Sequence, residues 1–444
     1  MGTQEDVNTV CTKLVTFYLM DNEEKSAQVF AEWVLESMDL FWQGKISDAL
    51  MTYLTIDKLT EEPRQAVKSL RVLHEVTTHC TNADLKRLVL NTGLLGILND
   101  ILDAPKVRGL IVRSTLTLIS NIVVGGWRLR DAIEDSGLLS AMVKLMYHQY
   151  NDISRHKTMM SQLVWLLYQF LMCKMPGPSE KAVARIARTV ANHLNPNQDV
   201  TILIPLLKLA RLISEYQSVM LSSMIQSKLL ARSAPFVRSP VVEVKREAIF
   251  ILANTCQQHK KRQKHALYRF PKSIILYIHG LFLYGPVEIR VLVHQLLGGI
   301  IDNRCIRTGM MLGLIPKVIF CASMQEQEEQ VRSAASWTLV SFAMHLEPRN
   351  WPLLMETKGY HVMCEILHRQ NVPVQLTRNI LCVFLRIMEN YRVLKPFLVS
   401  LLYQCNVWDL LVDYAEGVNS AVRTLATLLC YHRNRDVCWI DVLA

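Results

Sequence analysis

The stretch Ser161–Phe170, SQLVWLLYQF, carries apolar residues at helical spacing and sets Trp165 and Gln169 four residues apart, on one face of a helix. An indole one turn from a side-chain amide is either a core aromatic beside an incidental polar residue or one copy of a repeated surface. Recurrence decides between the two. Apolar helical runs ending in an amide or its substitute recur as TLTLISN ending at Asn121, QLVWLLYQ at Gln169, EAIFILAN at Asn254 and SAASWTLVS at Ser341. Asn121 and Gln169 are 48 residues apart, Gln169 and Asn254 are 85 apart, and Asn254 and Ser341 are 87 apart, the last two being double periods.

A second motif, a small residue followed by an apolar helix, interleaves with the first. It reads TGLLGILNDIL from Thr92, SGLLSAMVKLM from Ser136, SKLLARSAPFV from Ser227 and LGLIPKVIFCA from Leu312, with a fainter KGYHVMCEIL from Lys358. Gly93 to Gly137 is 44 residues, and Gly313 to Gly359 is 46. Gly137 to Ser227 and Ser227 to Gly313, at 90 and 86, are two periods each. A helical period of about 40–47 residues is the signature of armadillo or HEAT repeats. Such units, of two or three helices, cannot bury their apolar faces alone. Stacking gives them one continuous core and a superhelix with a concave inner surface.

The expected fold is therefore all-α, an armadillo-repeat superhelical solenoid of about nine to ten repeats. The array is expected over residues 63–435, with an acidic helical cap over 1–62 and a C-terminal tail over 436–444. Composition points the same way. Half of the 444 residues are hydrophobic while Gly (17) and Pro (15) are sparse, as in a chain with few loops. The 11 cysteines are scattered and form no Cys-x-x-Cys pair, which suits reduced thiols in cytoplasm or nucleus. MGTQEDVNTV at the N-terminus is too polar for a signal peptide. The most apolar run, SIILYIHGLFLYG (Ser273–Gly285), is too short for a membrane span, so no membrane association is expected.

The net charge of +10 is unevenly placed. Residues 1–62 hold four Lys, no Arg and twelve acids, so this segment is −8 and the rest of the chain +18. A basic body can attract nucleic acid or acidic proteins. Scattered positive charge also simply solvates a surface, which is the expectation here, and nucleic acid is not an expected partner.

A groove lined by recurring Trp and Asn or Gln has a definite chemistry. A side-chain amide carries both a donor and an acceptor, so it can hold the main chain of an extended peptide without reading its sequence. A Trp one turn away offers a flat wall for the aliphatic stem of Lys or Arg, with cation–π attraction to its charged head. The candidate peptide-binding residues are Asn121, Trp165, Gln169, Phe250, Asn254, Trp337 and Ser341.

With these residues the chain from about 63 to 435 resembles the importin-alpha family of nuclear-import adaptors. The resemblance is carried by SNIVVGGWRLRDAIEDSGLL (Ser120–Leu139), QLVWLLYQFLMCKMPGPSE (Gln162–Glu180), VKREAIFILAN (Val244–Asn254), GLIPKVIF (Gly313–Phe320) and SAASWTLVSFA (Ser333–Ala343). It implies an adaptor, moving between cytoplasm and nucleus, that binds extended basic peptides of cargo proteins. The family's motif is eroded here. Its Trp and Asn align with Leu73 and Thr77, then with Thr117 and Asn121, and in the C-terminal half with Val293 and Leu297. Gly125 and Ala334 stand where the family has acids. Weaker binding of basic peptides, or a different cargo, follows. An armadillo scaffold that has lost transport activity is the alternative.

The family's basic N-terminal segment binds the carrier importin-beta and can occupy the groove. Residues 1–62 lack Arg and are acidic, so neither carrier binding through them nor autoinhibition is expected. No Gly-x-Ser-x-Gly, phosphate-cradling Gly-rich loop or His-Glu-x-x-His occurs, so no enzyme, catalytic residue or cofactor is expected. His361, Cys364 and His368 have zinc-like spacing but are expected to be ordinary helix residues, with no metal bound. HKKRQKH (His259–His265) is either a localisation signal or phosphate patch, or a solvated loop.

Overall fold

The computed structural model describes residues 13–20, 26–36, 41, 46–104, 109–149, 153–172, 176–216, 228–257, 277–302 and 312–443. The basic run 259–265, the N-terminal MGTQEDVNTV, Ser227 and residues 273–276 of the apolar run lie outside them. Every regular element among the described residues is helical. No helix among them is long and apolar enough to cross a membrane.

The chain forms two compact units, Met1–Arg232 and Ser233–Ala444. The first is built on five long helices: α1 (Ser26–Glu36), α2 (Pro63–His79), α3 (Gly109–Val124), α4 (Ile153–Met172) and α5 (Val200–Glu215). Each packs against the next, like rungs of a ladder. The second unit repeats the device with α6 (Val242–Gln257), α7 (Val287–Asp302), α8 (Glu329–His345), α9 (Val374–Asn390) and α10 (Ser420–Leu443). Two shorter helices precede a rung in the clearest repeats. Asn82–Asn91 and Leu94–Asp103 lead into α3, and Trp127–Asp135 and Leu138–Gln149 lead into α4. Trp351–Glu356 and Gly359–Leu367 likewise lead into α9. Each unit is thus an all-α solenoid of three-helix, armadillo-type repeats.

Local sequence explains the elements. α2 opens on Pro63, where a missing N–H costs no helical bond, and buries Ala66, Val67, Leu70, Leu73 and Val76 along one stripe. Asn82–Asn91 starts at Thr81, whose hydroxyl accepts the Asp84 N–H at 3.2 Å and donates to the Asp84 carboxylate at 2.7 Å. The Ser179 hydroxyl caps Glu180–His193 by accepting the Ala182 N–H at 3.1 Å.

One left-handed residue recurs just before the second helix of a repeat: Gly93 (φ 73°), Gly137 (φ 84°), Lys228 (φ 60°), Lys358 (φ 63°) and Asn406 (φ 53°). The small-residue motif is therefore one position off where glycine is lost. Lys228 rather than Ser227, and Lys358 rather than Gly359, occupy the turn, and Asn406 adds a copy that sequence matching misses. Any L-residue pays a penalty there, but lysine and asparagine tolerate it when the flanking helices fix the turn.

The period is also written in hydrogen bonds between repeats. Gln162 Nε2 donates to Thr117 Oγ1 across 45 residues, Thr338 Oγ1 to the His294 carbonyl across 44, and Arg386 Nη1 to the Met344 carbonyl across 42. These bonds satisfy rung-to-rung polar groups that stacking would otherwise bury without partners.

Candidate functional site

Packing on both sides leaves each rung one outward stripe. On α4 the stripe contains Ser161, Trp165, Tyr168, Gln169 and Met172. Trp165 is 54% exposed, high for a Trp, and its ring stacks on Tyr168 with centroids 5.7 Å apart and planes 13° from parallel. Gln169 is half-buried on the same face and has no hydrogen-bond partner among the described residues. An apolar platform and a free amide therefore lie side by side, as their four-residue spacing implies. Tyr168, three residues from Trp165, extends the platform; helical spacing alone could have marked it.

Asn121, on the α3 stripe beside α4, is differently placed. Its amide nitrogen donates to Thr78 Oγ1 at 2.7 Å, and lies 3.2 Å from both Thr77 Oγ1 and the His74 carbonyl and 3.1 Å from His74 Nδ1. All four acceptors belong to α2. The expectation that this amide offers both its donor and its acceptor to a peptide main chain is thus corrected: its nitrogen ties two rungs together, and the Asn121 carbonyl oxygen is the atom left to meet a ligand. Burial lowers the His74 pKa, favouring the neutral ring beside Asn121. Thr117, at the expected Trp position, is equally committed, accepting from Gln162 and donating to the Arg113 carbonyl at 3.0 Å. Asn121→Ala is expected to cost about 1 kcal/mol of stability, the net worth of a neutral hydrogen bond. An unchanged melting temperature would show that the rung-to-rung bond contributes nothing.

Two aligned pairs are corrected as well. Leu73, Val293 and Leu297 are fully buried and Thr77 is nearly so, because these positions face the core. A helix turns about 100° per residue, so a slip of one or two positions moves a residue from groove to core. On α7 the outward stripe holds Glu288, Val291, Gln295 and Gly298. Gly125, where the resemblance to importin-alpha implies an acid, sits where an added Cβ would come within 2.6 Å of Leu85 and 2.8 Å of Leu129. Close helix packing, not ligand chemistry, accounts for it.

In the second unit Phe250 and Asn254 are half-buried on α6 and both are already engaged within the chain. Trp337 and Ser341 are half-buried on α8, so this indole offers less surface than Trp165. Ala334, half-buried one turn before Trp337, accepts from Thr338 Oγ1 at 3.1 Å through its carbonyl. Trp165 and Gln169 are thus the best-presented pair. Among the described residues no three His, Cys, Asp or Glu side chains cluster as metal ligands. Cys364 is buried and His368 pairs through Nε2 with the Cys405 carbonyl at 2.8 Å.

Solved structures match the fold and leave the activity open. An engineered protein of known crystal structure superposes with a TM-score of 0.68 at 14% sequence identity, covering 95% of this chain and 98% of its own. A second engineered protein covers 55% of this chain at 12% identity with a TM-score of 0.46. No protein-family model matches the chain. No curated protein matches it either.

Proposed function

We propose that this chain is a protein-interaction adaptor that holds an extended segment of a partner protein on the outward face of its ladder helices. The observation that carries the reading is the exposed Trp165, stacked on Tyr168 and followed one turn later by Gln169. The indole supplies desolvated contact area, and the amide supplies a donor and an acceptor for a peptide main chain. The proposal includes no catalysis.

The narrower role, a nuclear-import adaptor for basic peptides acting between cytoplasm and nucleus, rests on the sequence resemblance to importin-alpha. The commitment of the Asn121 nitrogen and the buried Leu73 and Val293 favour the alternative, an armadillo scaffold with a changed ligand.

Trp165→Ala is expected to weaken partner binding by about 1–3 kcal/mol, as for aromatic hot spots. Trp337→Ala is expected to cost less, because Trp337 is more buried and its Ser341 partner is a shorter, weaker substitute for an amide. Calorimetry with a peptide selected on an array measures both. A larger loss for Trp337→Ala would move the main site to the second unit.

A further inference from the structure

The ladder helices of the two units differ in charge. Within α2–α5 there are eight Lys or Arg and two Asp or Glu, and α3 and α4 contain no acid at all. Within α6–α9 there are six of each. The acidic helix α1, with two Glu and no base, ends the basic stretch on one side.

Each of the two acids of α2–α5 has a basic side chain beside it. Glu215 lies 3.3 Å from Arg211, and Glu75 lies 3.7 Å from His79. Asp199, at the start of α5, is held 2.8 Å from Lys157; bonds from Lys157 and then Thr201 keep its carboxyl far below the usual range. A cargo lysine would find few carboxylates here. Arg64, Arg71, Arg113 and Lys208 are exposed on the outward stripes, with Lys68 half-buried among them. In the second unit Arg246 lies within 3.6 Å of Glu243, Glu247 and Glu288, which adds carboxylates to the face of α6 and α7.

Apolar side chains share the basic face: Leu110 (55% exposed), Val124 (68%) and Met172 (47%) accompany Trp165. Interleaved apolar and cationic groups suit a peptide with interleaved apolar and acidic side chains. A nucleic-acid strand would use the cations and the aromatic rings and leave the aliphatic groups unmatched.

We propose that the outward face of α2–α5 binds an extended acidic segment of a partner protein, with apolar residues between the acids. Four rungs about 10 Å apart span about 30 Å, which an extended chain covers in about ten residues. Its main chain meets Gln169 and the Asn121 carbonyl oxygen, an apolar residue covers Trp165, and its carboxylates reach Arg113 on one side and Lys208 on the other. The inference rests on the peptide-holding role proposed above and reverses the charge of the ligand that the family resemblance implies.

Fluorescence anisotropy on the full chain tests it with three labelled probes of about ten units: a peptide alternating Asp or Glu with Leu or Phe, the same peptide with Lys or Arg for the acids, and a single-stranded oligonucleotide. The acidic peptide is expected to bind most tightly, and to lose about tenfold in affinity between low and high salt. Arg113→Glu with Lys208→Glu should weaken it by about tenfold and strengthen the basic peptide, a gain that only a folded variant can show. Tighter binding of the basic peptide or the oligonucleotide by the unmodified chain, or no exchange of preference in the double variant, overturns the inference. If the basic peptide wins and Trp165→Ala weakens it, the peptide-holding role stands and only the charge assignment fails. If no peptide responds to Trp165→Ala, both fail.

Discussion

Replacing Arg290 by Met is expected to destabilise the C-terminal unit by about 3–5 kcal/mol, because the change strands a buried carboxylate. Arg290 on α7 donates through Nε to the Phe282 carbonyl at 2.7 Å, through Nη1 to Glu326 Oε1 at 3.2 Å, and through Nη2 to Glu326 Oε2. The side chains are 10% and 5% exposed, so water cannot replace either partner. Burial alone would push the Glu326 carboxyl up. The bonds from Arg290 and the Glu328 N–H more than offset this and hold it below its usual range. The pair joins α7 to the segment following the helix Ile315–Ala322, and so fixes one repeat to the next. Replacing both residues, Arg290→Met with Glu326→Leu, should recover most of the loss. Hydrogen exchange resolved by peptide measures the effect, since two units need not unfold as one. Equal loss in both units, or a double variant as unstable as the single, would rule out a stranded charge as the cause.

Acidification is expected to weaken the same unit through His294. Its ring is fully buried on α7, edge-on to Phe282 with centroids 5.0 Å apart, and neither nitrogen has a hydrogen-bond partner among the described residues. Burial, and then the charge of Arg290, push its pKa down to about 3 from the ordinary 6.5. The folded chain therefore keeps the ring neutral, while the unfolded chain takes up a proton below 6.5. Stability from this residue is complete above that value and falls by about 1.4 kcal/mol per unit as pH drops toward 3. By pH 4.5 the loss is about 2–3 kcal/mol. His294→Leu, of similar volume and without the titrating ring, should show no such term. Comparing the two proteins isolates it from carboxylates such as Glu326, which titrate in both. Parallel stability curves from pH 7 to 4.5 would show that the ring is accessible to protons in the folded state.

The repeat was the most legible property of the sequence, because its signal is summed over many copies. Period, helical class and the outward placement of Trp165 and Gln169 follow from spacing alone. Direction around a helix is less legible. Val293 and Leu297 read as groove positions, yet lie in the core, since apolar residues run along α7 at nearly every second or third position and a short slip leaves the pattern intact. The motif's small residues Ser227 and Gly359 fall one position away from the left-handed turn before the second helix, because glycine marks that turn in two copies while Lys228, Lys358 and Asn406 hold the same backbone without that mark. The state of Asn121 could not be read at all: its partners are 43 to 47 residues earlier and depend on rung-to-rung geometry. The charge contrast between α2–α5 and α6–α9 was present in the sequence, but it emerges only once the ladder helices are separated from the others.

The most direct test of the peptide-holding face is photo-crosslinking from position 165. A photoreactive phenylalanine analogue replaces Trp165 in the full chain, with matched chains carrying it at Trp337 and at the exposed Tyr147 on the helix Leu138–Gln149, which is not one of the ladder helices. Each is irradiated with a bound peptide, and the adducts are located by mass spectrometry. Capture of the peptide from position 165, well above capture from 337 and absent from 147, is the predicted result. Equal capture from all three positions, or capture from 147 alone, would contradict a binding face on the outward stripes of the ladder.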